Sequence, residues 1–464
     1  MTEEIKETKP KYAETYGGTF GAVLPMLVMV ATIAVLFITG LKSTQTFWVA
    51  GFFGVSVGMF VFKDKERFQT TVFEGLKNES FVVMTGILLF SGVIGNVLSA
   101  CHIVDALLYL LTVVNFPPVL IPAVCFLLAT LMSLFTGSAV SAMLAIIPLM
   151  LPVGVQMGCN AGFLMGAIVS GGVIGDNMAP VSDTMITSSL TQEVDIMDCV
   201  KSRLRFNLTA CTISLVLFVA LSFVTTNTAA AQHVEVSNEY LASFAFVLVP
   251  ACMIILILKN VNFLVAMIVT DLVGIAMLVI FGYADITSIL AADGIIVGGI
   301  NEMVGPIIFM MFVFMLLAIL QETGVMDKFQ QFLMSRATSD RAVEIASAIF
   351  VCVTCMLTTS GMSTIALCGP VIRKMMKPRG ISRARSANLL DALACGVGYM
   401  LPYDGLSQGL VGMAVSMGVV GAEFTVFSYL PYNFGAIMLI VVYWVAILTG
   451  WGRTYEPVDA VKEA

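Results

Sequence analysis

The sequence predicts an all-α polytopic membrane protein built from two inverted-topology repeats, with intramembrane hairpins and broken helices. Three observations predict it. Of the 464 residues, 59% are hydrophobic and only 11% charged, with a mean hydropathy of +0.98; a soluble domain carries about a quarter charged residues. The two halves coincide at one constant offset of 222 residues. Loops related by that offset differ in charge, basic in one half and not in the other.

The apolar runs, many about 20 residues long, suffice to cross a hydrocarbon core of roughly 30 Å as helices. The first, 18–41, is longer than a signal-peptide core and has no cleavage-site pattern after it, so it reads as a span. The net charge of −7 resides in loops and tails. No basic stripe interleaved with aromatics points to nucleic acid. The ten cysteines match no zinc or haem spacing. Cys352 and Cys355 lie inside an apolar run with no thioredoxin-like context, so they read as packing residues.

Along the chain, a tail over 1–17 precedes spans at 18–41, 45–62 and 80–100, with a basic connector at 63–79. A short amphipathic piece from His102 and Asp105 ends at Pro117 and Pro118. Two apolar arms, 118–135 and 142–157, flank the polar break 136–141. A Gly-containing break between apolar arms predicts a hairpin whose tip lies within the membrane, where only protein or a water-filled cavity can cover irregular backbone. The apolar run 161–174 leads into Gly175, Asp176, Asn177, Met178, Ala179, Pro180, Val181, Ser182, Asp183 and Thr184. Lys201, Arg203 and Arg205 precede the plain span 206–224 and are read as a basic loop, leaving no Lys or Arg inside a span near the breaks. This divides the chain into a first repeat (18–224), a linker (225–239), a second repeat (240–450) and a tail (451–464).

At the common offset Asp105 falls on Asp327, Thr136 on Thr358, Ser138 on Ser360, Ser141 on Ser363, Pro148 on Pro370, Met178 on Met400 and Pro180 on Pro402. Connector 63–79 is basic, and its counterpart 285–301 has no Lys or Arg. Loop 157–161 is uncharged, and its counterpart holds Arg373, Lys374, Lys377, Arg379, Arg383 and Arg385. Because Lys and Arg gather on the cytoplasmic side, equivalent loops are expected on opposite faces and both termini in the cytoplasm. Lys42 is the exception.

Inverted repeats with broken helices carry substrate and coupling ions near the midplane, where the repeats meet. A helix from 161 to 174 rises about 21 Å, short of the core thickness, so the motif that follows lies at depth. Pro180 ends the helix. Asp176, Asp183, Ser182 and Thr184, with freed carbonyls, form an oxygen set suited to Na+. An isolated acid at mid-bilayer costs about 2.5–3.5 kcal/mol, and such a carboxyl can carry either a proton or a metal cation. Competition between the two is a sufficient mechanism for exchange. Both acids could instead cap the broken helix or pair with the second half.

Asp404 beside the second break is a candidate partner, Asp391 a candidate relay or structural carboxyl, and Asp271 a weaker candidate. Ser138, Ser141, Ser360 and Ser363 are candidates to contact substrate or to satisfy hairpin backbone. Glu322, Asp105, Asp327 and His102 read as interfacial. No resident cofactor is expected beyond the transported Na+ and H+. The partners expected are the lipid bilayer and these ions, and a homodimer is compatible with the Gly54-x-x-x-Gly58 pair.

The motif at 175–184 resembles the signature of the NhaC family of Na+/H+ antiporters, within the larger ion-transporter superfamily. Phe135, Thr136, Gly137 and Ser138, and the stretch from Asp195 to Arg203, are similar to that family too. The resemblance covers most of the chain. It implies a multi-pass secondary transporter of the bacterial inner membrane that exchanges Na+ for H+, with Asp176, Ser182, Asp183 and Thr184 holding the cation and Thr136 and Ser138 facing it. The family's third motif residue is often Lys where this chain has Asn177, and Met185, Ile186, Thr187 and Ser188 replace its usual amide-bearing continuation. Relatives on this scaffold also carry amino acids or small organic acids coupled to Na+ or H+, which is the alternative expectation.

Overall fold

The computed structural model describes residues 12–39, 46–227, 238–259, 261–336 and 338–457. Lys42, His233, most of the predicted linker and the outer parts of both tails lie outside the described residues. Among those described, the only extended pairings are two isolated bridges, Thr15 with Phe62 and Ile381 with Tyr455. Everything else regular is helical. Among the described residues eight helices are long and apolar enough to cross a membrane, or nine if the pair Val426–Tyr432 and Phe434–Thr449, bent by 49°, counts as one span. Large apolar side chains such as Phe135, Val216 and Phe223 stand exposed, as expected of a surface solvated by lipid. The protein is a polytopic, all-α membrane protein.

The chain forms two compact units, each drawing on both predicted repeats. One comprises Met1–Val82 and Ile308–Phe332. In it Gly18–Ile38 packs on Phe47–Val61. The predicted connector is instead the helix Lys65–Leu76, started by Asp64, whose carboxylate accepts from the backbone N–H of Glu66 and Arg67. Gly54 and Gly58 admit the side chains of Leu316 and Ile319, so that glycine pair serves packing within the chain. Glu322 pairs with Arg67.

The other unit, Val83–Ile307 with Leu333–Ala464, holds every candidate site residue. Its first hairpin is Ile121–Thr136 and Ala139–Gln156, and its first broken span is Ala161–Met178 and Asp183–Gln192. Its second hairpin is Asp340–Thr358 and Gly361–Met376, and its second broken span is Arg383–Gly398 and Gly405–Ser416. The breaks are shorter than the sequence suggested. Only 137–138 interrupts the first hairpin, so Ser141 is helical, and Asp176 and Asn177 remain in helix before 179–182 unwinds.

The tips repeat in detail at the common offset. Gly137 and Thr359 are both left-handed, with φ of 67° and 52°. Ser138 and Ser360 then cap the following arm, accepting from the N–H of Ser141 at 3.2 Å and Ser363 at 3.3 Å. Phe218 on Ile196–Thr225 stacks on Phe126, Phe163 and Phe434, with centroids 5.4, 5.4 and 5.0 Å away, and so ties the first hairpin and first broken span to Phe434–Thr449.

All ten cysteines are unpaired. Burial pushes the Cys159 thiol up to about 11 and the Cys101 thiol up to about 12, which leaves both unreactive at neutral pH.

Candidate cation site

Three of the broken elements meet at the first break. Gly175 lets Ala161–Met178 lie directly on Ile121–Thr136: a Cβ there would stand 2.3 Å from the Thr130 carbonyl oxygen. That contact brings the first hairpin tip against the break, where a Cβ on Gly137 would meet Val181 at 2.8 Å. The hairpin's second arm starts at Ala139, against the same helix one turn before Asp176: a Cβ on Gly172 would meet the Ala139 carbonyl oxygen at 3.2 Å. The N-terminal end of that arm, the positive end of its dipole, therefore lies near the acid. The second hairpin approaches from the other half, where a Cβ on Gly361 would stand 3.8 Å from the Thr184 side chain.

A chain of polar side chains runs from there into the second half. Ser182 Oγ donates to Asp176 Oδ1 at 2.9 Å and lies 3.0 Å from Thr184 Oγ1. The Cys395 thiol is 3.6 Å from Thr184 Oγ1 and 3.2 Å from Asp391 Oδ1. Arg203 closes the series, with Nη1 2.6 Å from Asp391 Oδ2 and 2.8 Å from the Asn177 carbonyl oxygen, and Nε donating to Asn388 at 2.9 Å. Asp176, Ser182, Asp391 and Arg203 are all buried. Each hydroxyl and thiol has one hydrogen to give, so the chain has a direction. With Asp176 ionised, Ser182 donates to it, Thr184 donates to Ser182, and the thiol is left to choose between Thr184 and Asp391.

Arg203 corrects the expectation that no Lys or Arg lies inside a span near the breaks. The helix begins at Ile196 rather than at 206, so a residue read as loop is 1% exposed beside the site. Its charge is matched by Asp391, while its Nη2 has no hydrogen-bond partner. The other predicted residues divide. Asn177 turns away: its Oδ1 accepts from Asn207 at 2.9 Å. Asp183 is exposed at the start of its helix, outside the hydrogen-bonded set. Asp404 caps Gly405–Ser416, accepting from the Ser407 N–H at 2.9 Å. Thr136 donates to the Met132 carbonyl oxygen at 2.9 Å, and Ser141 to Ser138 at 3.0 Å. The Ser360 hydroxyl is occupied by its own tip, accepting from the Ser363 backbone N–H. Asp271, outside this cluster, is buried with neither oxygen bonded.

Among the described residues no three His, Cys, Asp or Glu side chains gather as a metal-holding group. The cluster around Asp176 offers one carboxylate and hydroxyl oxygens, a hard and weakly charged set of the kind that can bind and release a monovalent cation. Arg203, Asn388, Asn207 and Cys395 were missed. The signal for the first was available: Arg203, Asn207, Ala210, Ser214, Phe218 and Ser222 form one helical stripe.

Comparison with known proteins follows the same lines. The model of the Na+/H+ antiporter family matches residues 6–223 and 224–451. The Na+/H+ antiporter NhaC of Alkalihalophilus pseudofirmus is 23% identical over 328 residues, covering 66% of this chain and 69% of that protein. The malate-2H+/Na+-lactate antiporter of Bacillus subtilis is 23% identical over 429 residues, covering 86% and 87%. Of solved structures, the YdaH transporter of Alcanivorax borkumensis aligns with a TM-score of 0.38 at 11% identity, over 93% of this chain and 99% of that one.

Proposed function

This chain belongs to the Na+/H+ antiporter family, and from that premise we propose that it exchanges Na+ for H+ by competition at Asp176. The observation that carries this is the buried Asp176 carboxylate, bonded by Ser182 beside the first hairpin tip. Na+ binds the ionised carboxylate together with the Ser182 and Thr184 oxygens. A proton taken up by Asp176 removes the charge that holds the cation, and it supplies a donor to Ser182 Oγ. Ser182 then donates to Thr184, Thr184 turns toward Cys395, and the thiol donates to Asp391. One proton at Asp176 thus reorients every link into the second half. Asp391, neutralised by Arg203, ends this chain without carrying the cation.

The double family match and the shared tip geometry support two repeats over 18–224 and 240–450. The loop charges support their inverted orientation, an inner-membrane location and cytoplasmic termini. The Gly54 and Gly58 pair, filled from within the chain, lends no support to a homodimer.

One observation favours a second reading, Na+- or H+-coupled carriage of a small organic acid: the unpartnered Nη2 of buried Arg203 could meet a carboxylate. A relative carries malate and lactate. Asp391 already matches that guanidinium, which favours exchange.

Everted membrane vesicles separate the two. Added Na+ should dissipate a preset pH gradient, and Asp176→Asn should abolish the response. Absence of Na+-dependent proton movement at any pH, together with Na+-driven malate or lactate uptake, would establish the second reading.

A further inference from the structure

Away from the cation site, one cleft collects polar atoms with unused hydrogen-bonding capacity. It opens to solvent and is lined by Gln192, Arg373, Lys377, Arg383, Ser386 and Glu456. Arg383 is committed, with Nε 3.0 Å from Glu456 and Nη1 donating to the Glu193 carbonyl oxygen at 2.8 Å. Arg373 pairs with Glu193 through Nη2, but its Nη1 is buried without a partner. Gln192 is fully buried; its Nε2 donates to the Gly369 carbonyl oxygen at 2.8 Å, and its Oε1 has no donor. Lys377 is exposed and has no ion-pair partner among the described residues.

Three cations stand against two carboxylates, Glu456 in the wall and Glu193 on Arg373, which leaves the cleft one net positive charge. The unused groups ask for a ligand of two parts: an anion to accept from Arg373 and Lys377, and a hydroxyl to donate to Gln192. We propose that this cleft binds a phosphate ester bearing a free hydroxyl. An anionic phospholipid with a glycerol headgroup presents both parts, and so does a soluble glycerol phosphate. The helices that end at the cleft, Asp183–Gln192 and Gly361–Met376, carry exposed Leu190 (70%) and Leu367 (56%). Guanidinium and ammonium groups suit phosphate because their hydrogen bonds to it are charge-assisted.

The test is thermal unfolding of the purified full-length protein in detergent, titrated with phosphatidylglycerol, phosphatidylcholine or glycerol 3-phosphate. Phosphatidylglycerol should raise the midpoint saturably and phosphatidylcholine should not. Arg373→Gln and Lys377→Gln should each weaken half-saturation about tenfold, the effect of losing one hydrogen bond to a charged group. Lys377 is solvent-exposed, so its variant folds and keeps the test decisive if Arg373→Gln does not. Lys63→Gln, in the other compact unit, should bind as wild type does. A shift by glycerol 3-phosphate that the same variants weaken supports the phosphate site and identifies a soluble occupant. The proposal falls if no probe shifts the midpoint, if phosphatidylcholine acts equally, or if Lys377→Gln retains wild-type affinity.

Discussion

Replacing Asp391 with Asn should destabilise the protein far more than it impairs the chemistry of exchange. Asp391 is fully buried and its partner Arg203 is 1% exposed, with 2.6 Å between them. Removing one member of such a pair strands a charge where water cannot reach it, at a cost of about 3–5 kcal/mol. Arg203 is poorly placed to absorb the loss, because its Nη2 is already without a partner. Replacing both partners by apolar residues, Arg203→Met with Asp391→Leu, removes the stranded charge. The Asn177 carbonyl oxygen keeps its bond from Asn207, and Asn388 still donates to Ser202. What remains is one orphaned acceptor on Asn388, worth about 1–3 kcal/mol. The double variant should therefore be more stable than Asp391→Asn alone. Thermal unfolding in detergent compares these variants with wild type, and the single variants Arg203→Met and Asp391→Leu complete a double-mutant cycle that gives the sign of the coupling. The reasoning is refuted if Asp391→Asn melts with wild type, or if the double variant melts below Asp391→Asn.

Three further outcomes are expected. Ser182→Ala removes the hydroxyl that donates to Asp176 and should raise the Na+ concentration for half-maximal exchange about tenfold, the effect of one hydrogen bond to a charged group; an unchanged value would remove Ser182 from the site. Gly137→Ala places a Cβ 2.8 Å from Val181 in a left-handed residue, and should cost about 1–2 kcal/mol from backbone strain alone, whereas Thr359→Gly at the equivalent tip should raise the melting temperature. In a cysteine-free background, Met157→Cys and Arg379→Cys, related by the common offset, should label from opposite sides of the membrane, and labelling from one side would contradict inverted repeats.

The hairpin tips and both breaks were legible because glycine, proline and serine within apolar runs have few structural uses at depth. Gly137 with Ser138, and Ala179 to Ser182, interrupt their helices where the composition changes. The common offset reached as far as individual hydrogen bonds, those of Ser138 and Ser360. What escaped was the direction of side chains. Arg203 stands in a basic run that reads as a cytoplasmic loop, and only the extension of its helix to Ile196 turns it inward. Cys395 looks like apolar filling, and its importance comes from lying four residues after Asp391, one helical turn away, with its thiol toward the same carboxylate. Asp183 and Asp404 drew attention as acids beside breaks. One starts its helix exposed and the other caps its helix, which are ordinary uses of Asp at helix N-termini.

The central claim is that Na+ and H+ exclude one another at the single carboxylate of Asp176. The most direct measurement is the apparent Na+ affinity of the reconstituted protein as a function of pH. Competition at one carboxyl predicts that half-saturating Na+ rises about tenfold for each unit of pH on the acid side and levels off on the alkaline side, because the ligand must be deprotonated to bind. It also predicts that Asp176→Asn shows no saturable Na+ binding at any pH. An affinity that does not vary with pH, or one that survives in Asp176→Asn, would contradict it.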